Sequence, residues 1–230
     1  MIRNIFLDLD NTLLDFERGE RKAIIKTLTG FGITPTQEVI DRYMAINLAC
    51  WRALERGEMS RDEVIYGRFE RLFSELGVNA SKTEAQETYQ ELLGREHDFM
   101  PGAKELLDEL KDRGKYRLYL ATNGIPVVQY PRLSASGIDK YLDGIFISYE
   151  LGFPKPKKEF FDGCAEQIPD YDPAESIIVG DNLTSDIMGG INAGMFTCHY
   201  NRWGDVYDKI KPDYTINHLS ELIAVLDSIK

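Results

Sequence analysis

The sequence is poor in cysteine, short of positive charge and without a long apolar run. Its three cysteines, Cys50, Cys164 and Cys198, are widely spaced and odd in number. That excludes a disulfide framework and offers no metal-ligand spacing. No stretch approaches the ~20 apolar residues of a membrane span. The opening Met-Ile-Arg-Asn-Ile-Phe-Leu-Asp reaches charge too early for a secretory leader. A cytoplasmic setting with no membrane partner is therefore expected. Lys and Arg total 27 against 38 Asp and Glu, a formal net charge of −11. Such a surface repels a phosphate backbone, which excludes nucleic-acid polymers as partners. An acidic chain that takes a phosphorylated ligand must supply positive potential locally, from a metal ion, a lysine or the N–H groups of a helix start. Internal repeats and low-complexity tracts are missing as well.

What is present is a chain of 230 residues, 43% of them hydrophobic, long enough for one core domain carrying a smaller insertion. Residues 2–7 form an apolar run that ends at Asp8, the pattern of a buried strand. From about 16 to 95 the periodicity is helical, in four stretches broken at 30–35, 57–60 and 77–81, with Ser60 and Ser81 as N-caps. After Pro101 strand and helix alternate. Strands are expected at 116–121, 145–148, 176–179, 195–200 and 214–216, and helices at 102–113, 126–136, 157–168, 184–193 and 219–229. This alternation predicts an α/β fold, a parallel sheet with helices on both faces. The sheet domain would comprise 1–14 and 97–230, with an all-helical domain, 15–96, inserted after the first strand.

In such sheets ligands bind beyond the carboxyl ends of the strands, and four strand ends carry chemistry. The first is Asp8-Leu9-Asp10-Asn11-Thr12, whose two acids share one face and repel unless a cation or proton intervenes. The second is Thr122-Asn123-Gly124 before a helix opened by Pro126, a hydroxyl and backbone amides suited to an anion. The third is Lys155 between Pro154 and Pro156, a cation on a restricted backbone. The fourth is Gly180-Asp181 followed by Asp186, a strand-end acid and one in the first turn of a helix.

Taken singly these are ordinary loops and caps. In this order the chain resembles the haloacid dehalogenase superfamily, whose phosphatases carry Asp-x-Asp-x-Thr, a Thr or Ser, a Lys often followed by Pro, and Gly-Asp-x4-Asp. All four motifs match, over essentially the whole chain. The resemblance implies a Rossmann-like catalytic core, a mobile helical cap and a Mg²⁺-dependent phosphomonoester hydrolase. Asp8 would be the nucleophile that becomes an aspartyl-phosphate, and Asp10 the acid and then the base. Asp8, Asp10 through its backbone carbonyl, and Asp181 would hold the metal, with Asp186 beside them. Thr122, Lys155 and the amides of Asn123 and Gly124 would hold phosphoryl oxygens. The stretches 47–57 and 67–69, and the run 186–194, are similar to the branch of cytoplasmic pyrimidine 5′-nucleotidases. That implies a nucleoside 5′-monophosphate as substrate, with Trp51 and Arg68 as specificity residues. Arg52 and the aromatic Phe16, Tyr43, Tyr66 and Phe69 are further candidates on the insert, although Phe69, Phe73 and Leu76 follow helical spacing and read as packing within it. The rival readings are a sugar-phosphate phosphatase, a phosphosugar mutase and a haloacid dehalogenase, the last with no use for Asp10, Asp181 and Asp186. Either a monomer or a homodimer fits. His97, His199 and His218 share no motif and read as structural or surface groups, and Cys164 as core.

Overall fold

A computed structural model describes residues 1–204, 206 and 209–229. The chain forms two compact units, a sheet unit of Met1–Phe16 with His97–Lys230 and a helical unit of Glu17–Glu96. Six strands make one sheet: β1 (Asn4–Leu7), β2 (Arg117–Thr122), β3 (Gly144–Ile147), β4 (Ser176–Gly180), β5 (Phe196–Tyr200) and β6 (Tyr214–Ile216). Every pairing is parallel and the order is β3-β2-β1-β4-β5-β6. The chain leaves β1 to build β2 and β3 on one side, then returns to build β4 to β6 on the other. That reversal at β1 opens a crevice at the carboxyl edge of β2, β1 and β4.

The helical unit contains α1 (Phe16–Gly30, apart from its first residue), α2 (Gln37–Glu55), α3 (Arg61–Leu76) and α4 (Lys82–Gly94). Ser60 closes a capping box with Glu63, and Ser81 accepts from the Glu84 amide, as the sequence predicts. Thr36 caps α2 in the same way. Tyr43, Phe69 and Tyr89 pack ring against ring at 5.4–5.7 Å, fully buried. Among them runs a polar chain: the Arg68 guanidinium donates to Asn47 Oδ1 (2.7 Å) and to Gln86 Oε1 (3.0 and 3.1 Å). Asn47 Nδ2 in turn donates to Glu20 Oε1 at 2.6 Å, which also accepts from the Tyr89 hydroxyl. Arg68 lies 4.7 Å from the Tyr89 ring centre, so aromatic faces supply the rest of its solvation.

The sheet is covered by α5 (Ala103–Arg113), α6 (Pro126–Ser136), α7 (Ser148–Leu151), α8 (Lys158–Ala165), α9 (Met188–Ala193) and α10 (Leu222–Ser228). Side chains alternate between its faces. Ile5, Leu7, Leu118, Leu120, Ile177 and Val179 pack with Leu107 of α5 and Leu222 of α10. Phe6, Tyr119, Phe146 and Ile178 pack on the other face with Phe160, Phe161 and Cys164 of α8. The α9 helix lies close because it presents glycine: a methyl on Gly190 would come within 2.4 Å of Ile178. Several elements differ from expectation: the helix expected at 157–168 ends at Ala165, and the one expected at 219–229 opens with a 3-10 turn, Leu219–Glu221. The helix expected at 184–193 opens with a π-helical turn, Leu183–Ile187, and the strand expected to include Ser148 ends at Ile147. Among the described residues, no helix is long and apolar enough to cross a membrane.

The buried network of the helical unit makes a prediction. Arg68→Leu should strand the side-chain oxygens of Asn47 and Gln86 without their donor and destabilise the protein by roughly 3–5 kcal/mol. Urea unfolding followed by far-UV circular dichroism checks this, and an unchanged midpoint would contradict it.

Candidate active site

The site is assembled at the carboxyl ends of β1, β2 and β4 and in the loop after α7. The Asp8 amide continues the sheet by donating to Val179 O (3.0 Å), so its side chain is delivered by rigid strand. Beyond it the chain turns sharply. Asn11 adopts a left-handed conformation (φ 62°), which asparagine tolerates better than most residues, and its amide donates to Leu14 O. The turn points Thr12 inward, where its fully buried hydroxyl accepts from the Asp181 amide at 3.1 Å. From the other side His199 Nε2 meets the Asp181 carbonyl at 2.8 Å. The carbonyl can only accept, so Nε2 carries the proton. The backbone of Asp181 is thus gripped by two buried groups, one of them a histidine with no recognisable motif.

Lys155 is the centre of the cluster. Its ammonium is 1% exposed and donates to Asp8 Oδ1 (2.8 Å), Asp186 Oδ1 (2.5 Å) and Ala121 O (2.6 Å), which uses all three of its protons. Its backbone is clasped by Asn123, which accepts from the Lys155 amide and donates to the Lys155 carbonyl, both at 2.9 Å. Asp186 has its second oxygen on the Asn182 amide (3.1 Å). The π-helical turn and Gly180 let Asp186 pack this way: a Cβ on Gly180 would lie 2.2 Å from Asp186 Oδ2.

Three carboxylates, Asp8, Asp181 and Asp186, offer oxygens that all lie within 4.8 Å of one another. Burial pushes the Asp8 carboxyl up to about 7, against the pull of Lys155, with the Asp186 and Asp10 charges adding to the rise. Desolvation and the neighbouring Asp8 raise Asp181 too. Oxygen-only, hard, and with one ammonium against three acids, this donor set fits a divalent cation such as Mg²⁺. Asp8 and Asp181 carry the freer oxygens, while those of Asp186 are engaged by Lys155 and Asn182.

The remaining expected groups fall as follows. Thr122 Oγ1 accepts from the Gly124 amide (3.1 Å) and from Gln129 Nε2 (2.9 Å), which leaves the hydroxyl proton as what it can offer an anion. The Gly124 amide, expected to face phosphate, is therefore committed to Thr122. Gly124 is glycine for another reason, since a Cβ there would sit 2.2 Å from Gln129 Nε2. Two groups had been missed altogether. Gln129 Nε2 also donates to Asp10 Oδ2 (2.9 Å), and Arg132 Nη1 donates to Asp10 Oδ1 at 2.5 Å. The signal available in the sequence was their i, i+3 spacing beside Val128 and Leu133, which puts two long polar side chains on the buried stripe of α6.

On the helical unit, Trp51 is half-buried and Tyr66 is 38% exposed. Phe69 and Phe73 pack inside that unit, as their helical spacing predicts. Tyr43 and Arg68 are buried there as well, which corrects their reading as groups a substrate could touch: the ring is core and the guanidinium is engaged by Asn47 and Gln86.

A stability prediction follows from the packing of Asp186. Gly180→Ala should push that carboxylate off Lys155 and cost about 1–3 kcal/mol, the usual penalty of overpacking. A lowered Tm checks it, and an unchanged one would mean that Asp186 can move freely.

Residues 2–194 match the family model of haloacid dehalogenase-like hydrolases. The pyrimidine 5′-nucleotidase PynA of Streptococcus pneumoniae (strain ATCC BAA-255 / R6) is 36% identical, over 97% of this chain and 94% of its own. The pyrimidine 5′-nucleotidase YjjG of Escherichia coli (strain K12) is 33% identical, over 96% of each. Among solved structures, the putative HAD-hydrolase YfnB from Bacillus subtilis bound to magnesium superposes with a TM-score of 0.92 at 36% identity, over 98% of this chain and 99% of that one. With a family match over most of its length and relatives this similar from end to end, the chain belongs to the haloacid dehalogenase-like hydrolases.

Proposed function

We propose that the protein is a Mg²⁺-dependent phosphomonoester hydrolase working through an aspartyl-phosphate, and that its substrates are pyrimidine nucleoside 5′-monophosphates. The observation that carries the first half is the meeting of Asp8 with Asp181, Asp186 and the buried Lys155 ammonium within one site. The names of the two nucleotidase relatives support the second. A small phosphorylated metabolite of the cytoplasm is the partner this reading requires.

A Mg²⁺ held by Asp8, the Asp10 carbonyl and Asp181, with Asp186 alongside, would supply positive charge where phosphoryl oxygens gather. The chain's own groups do the rest. Lys155 fixes Asp8 Oδ1 and leaves Oδ2 available as nucleophile. Attack of that oxygen on phosphorus breaks the bond to the ester oxygen, which leaves with the electron pair and takes a proton from Asp10. Asp10, now a carboxylate, takes a proton from water as the water oxygen attacks the phosphorus. The bond from phosphorus to Asp8 breaks, releasing inorganic phosphate. The Thr122 hydroxyl donates to a phosphoryl oxygen throughout, and Lys155 balances the anion.

These groups address the phosphoryl and nothing beyond it, so discrimination is assigned to the helical unit. A flat aromatic with exposed surface can stack a base for ~1–3 kcal/mol, and Trp51 is the candidate there.

Two sets of measurements test the reading. Asp8→Asn should abolish turnover with the fold intact, and Asp10→Asn should lower it ~10²–10⁴-fold. EDTA should silence the enzyme, Mg²⁺ restore it and Ca²⁺ support it poorly, since Ca²⁺ prefers more ligands at longer range. Near-normal rates in Asp8→Asn, or full activity in metal-free protein, would end the proposal. For specificity, kcat/KM should rank pyrimidine nucleoside 5′-monophosphates above hexose phosphates. Trp51→Ala should lose efficiency on nucleotides while keeping p-nitrophenyl phosphate hydrolysis. A phosphate-release screen led by hexose phosphates would leave only the phosphatase half standing.

A further inference from the structure

Asp10 is held by more than its own backbone. It sits on the turn after β1 with its side chain 26% exposed, where a carboxylate would ordinarily rotate. Here both its oxygens are taken: Arg132 Nη1 donates to Oδ1 at 2.5 Å and Gln129 Nε2 to Oδ2 at 2.9 Å. The two holders are tied together, with Arg132 Nη1 also 2.8 Å from Gln129 Oε1. Each is 1% exposed. The same Gln129 nitrogen reaches Thr122 Oγ1 at 2.9 Å, so a single amide spans Asp10 and the hydroxyl assigned to the phosphoryl group. Phe16 flanks the guanidinium, 5.7 Å from ring centre to Cζ.

Burying a guanidinium costs solvation that a leucine at the same place would not. On the buried stripe of α6, beside Val128 and Leu133, apolar residues would pack the helix without that cost. The partners chosen instead fix the direction of one side chain.

We infer that Arg132 and Gln129 are positioning residues for proton transfer by Asp10, holding its carboxyl in register with Thr122 and the phosphoryl site. The inference rests on the reading of Asp10 as the proton donor to the leaving oxygen. Proton transfer needs heavy atoms within about 2.6–3.2 Å, and a misplacement of ~1 Å can cost about 10²-fold. The clamp takes one acceptor position on each Asp10 oxygen, leaves an outward position for the proton that passes to the leaving oxygen, and closes off the other rotamers.

The expected signature is dependence on the leaving group. A nucleoside leaves as an alkoxide and needs the proton, whereas 2,4-dinitrophenolate is stable without it. The quantity to measure is kcat/KM, which covers binding and the first phosphoryl transfer but not hydrolysis of the intermediate, for uridine 5′-monophosphate and for 2,4-dinitrophenyl phosphate, with Mg²⁺ present. Arg132→Met and Gln129→Met should each depress the ratio of the two by ~10–100-fold. Arg132→Lys, which keeps a cation and much of the volume, should recover part of the loss. Placed on Asp10→Asn, neither substitution should change the ratio further. Partial unfolding scales both rates together and leaves the ratio alone, so each variant is also melted. A parent ratio in any Met variant that melts like the parent would overturn the inference, as would losses that add to those of Asp10→Asn. If Asp10→Asn itself lowers both substrates equally, the proton-donor reading fails first and the positioning role falls with it.

Discussion

One buried ammonium organises the site. Lys155 touches Asp8, Asp186 and the Ala121 carbonyl, and no other cation comes that close to the three clustered acids among the described ion pairs. Like charges packed this tightly would drive the carboxyls to neutrality or pull the strand ends apart. With Lys155 between them, Asp8 and Asp186 stay at fixed distances, and their negative charge in turn raises the lysine above its ordinary value against the opposing effect of burial. The surroundings then serve the lysine. Asn123 clasps its backbone, Gly180 clears space for Asp186, and the π-helical turn aims Asp186 back at the ammonium. Removing the lysine would leave desolvated carboxylates with no counter-charge, a costly fault in a protein interior, whereas losing Asp8 alone still leaves Lys155 paired with Asp186.

Much of this architecture was legible from the sequence because strand ends are local signals. An apolar run that stops on Asp8, Thr122 or Asp181 states both the element and its chemistry, and parallel β–α alternation brings those ends to one edge. The helix caps at Ser60 and Ser81 were legible for the same reason, since a cap is decided within four residues. Gln129 and Arg132 were not, because their significance lies in a partner 119 and 122 positions away. His199 was hidden similarly: its bond to the Asp181 carbonyl exists only because β5 lies beside β4. Tyr43 and Arg68 were misread in the opposite sense. Periodicity marks a side chain as one of a helical stripe, but it does not tell whether the stripe faces a ligand or the other helices of its own bundle.

The glycines of the motifs illustrate a related point. Gly124 and Gly180 look like the flexible residues of anion-binding loops. In the structure neither has a left-handed backbone. Each is small because a neighbouring functional side chain, Gln129 or Asp186, runs where a Cβ would stand.

The order of the strands has a consequence for how the molecule is made. β1 lies inside the sheet, hydrogen-bonded to β2 on one side and β4 on the other, yet those neighbours begin at Arg117 and Ser176. During synthesis the first strand leaves the ribosome with Ile5, Phe6 and Leu7 unpaired and must wait for most of the chain. The stretch Glu17–Glu96 is continuous and forms a compact unit by itself, so it can close while β1 is still waiting. Loop closure over so many residues is paid for late, and sheets joined this way fold slowly. Asp8 is therefore translated before every other residue of the acidic cluster and is among the last to find its place.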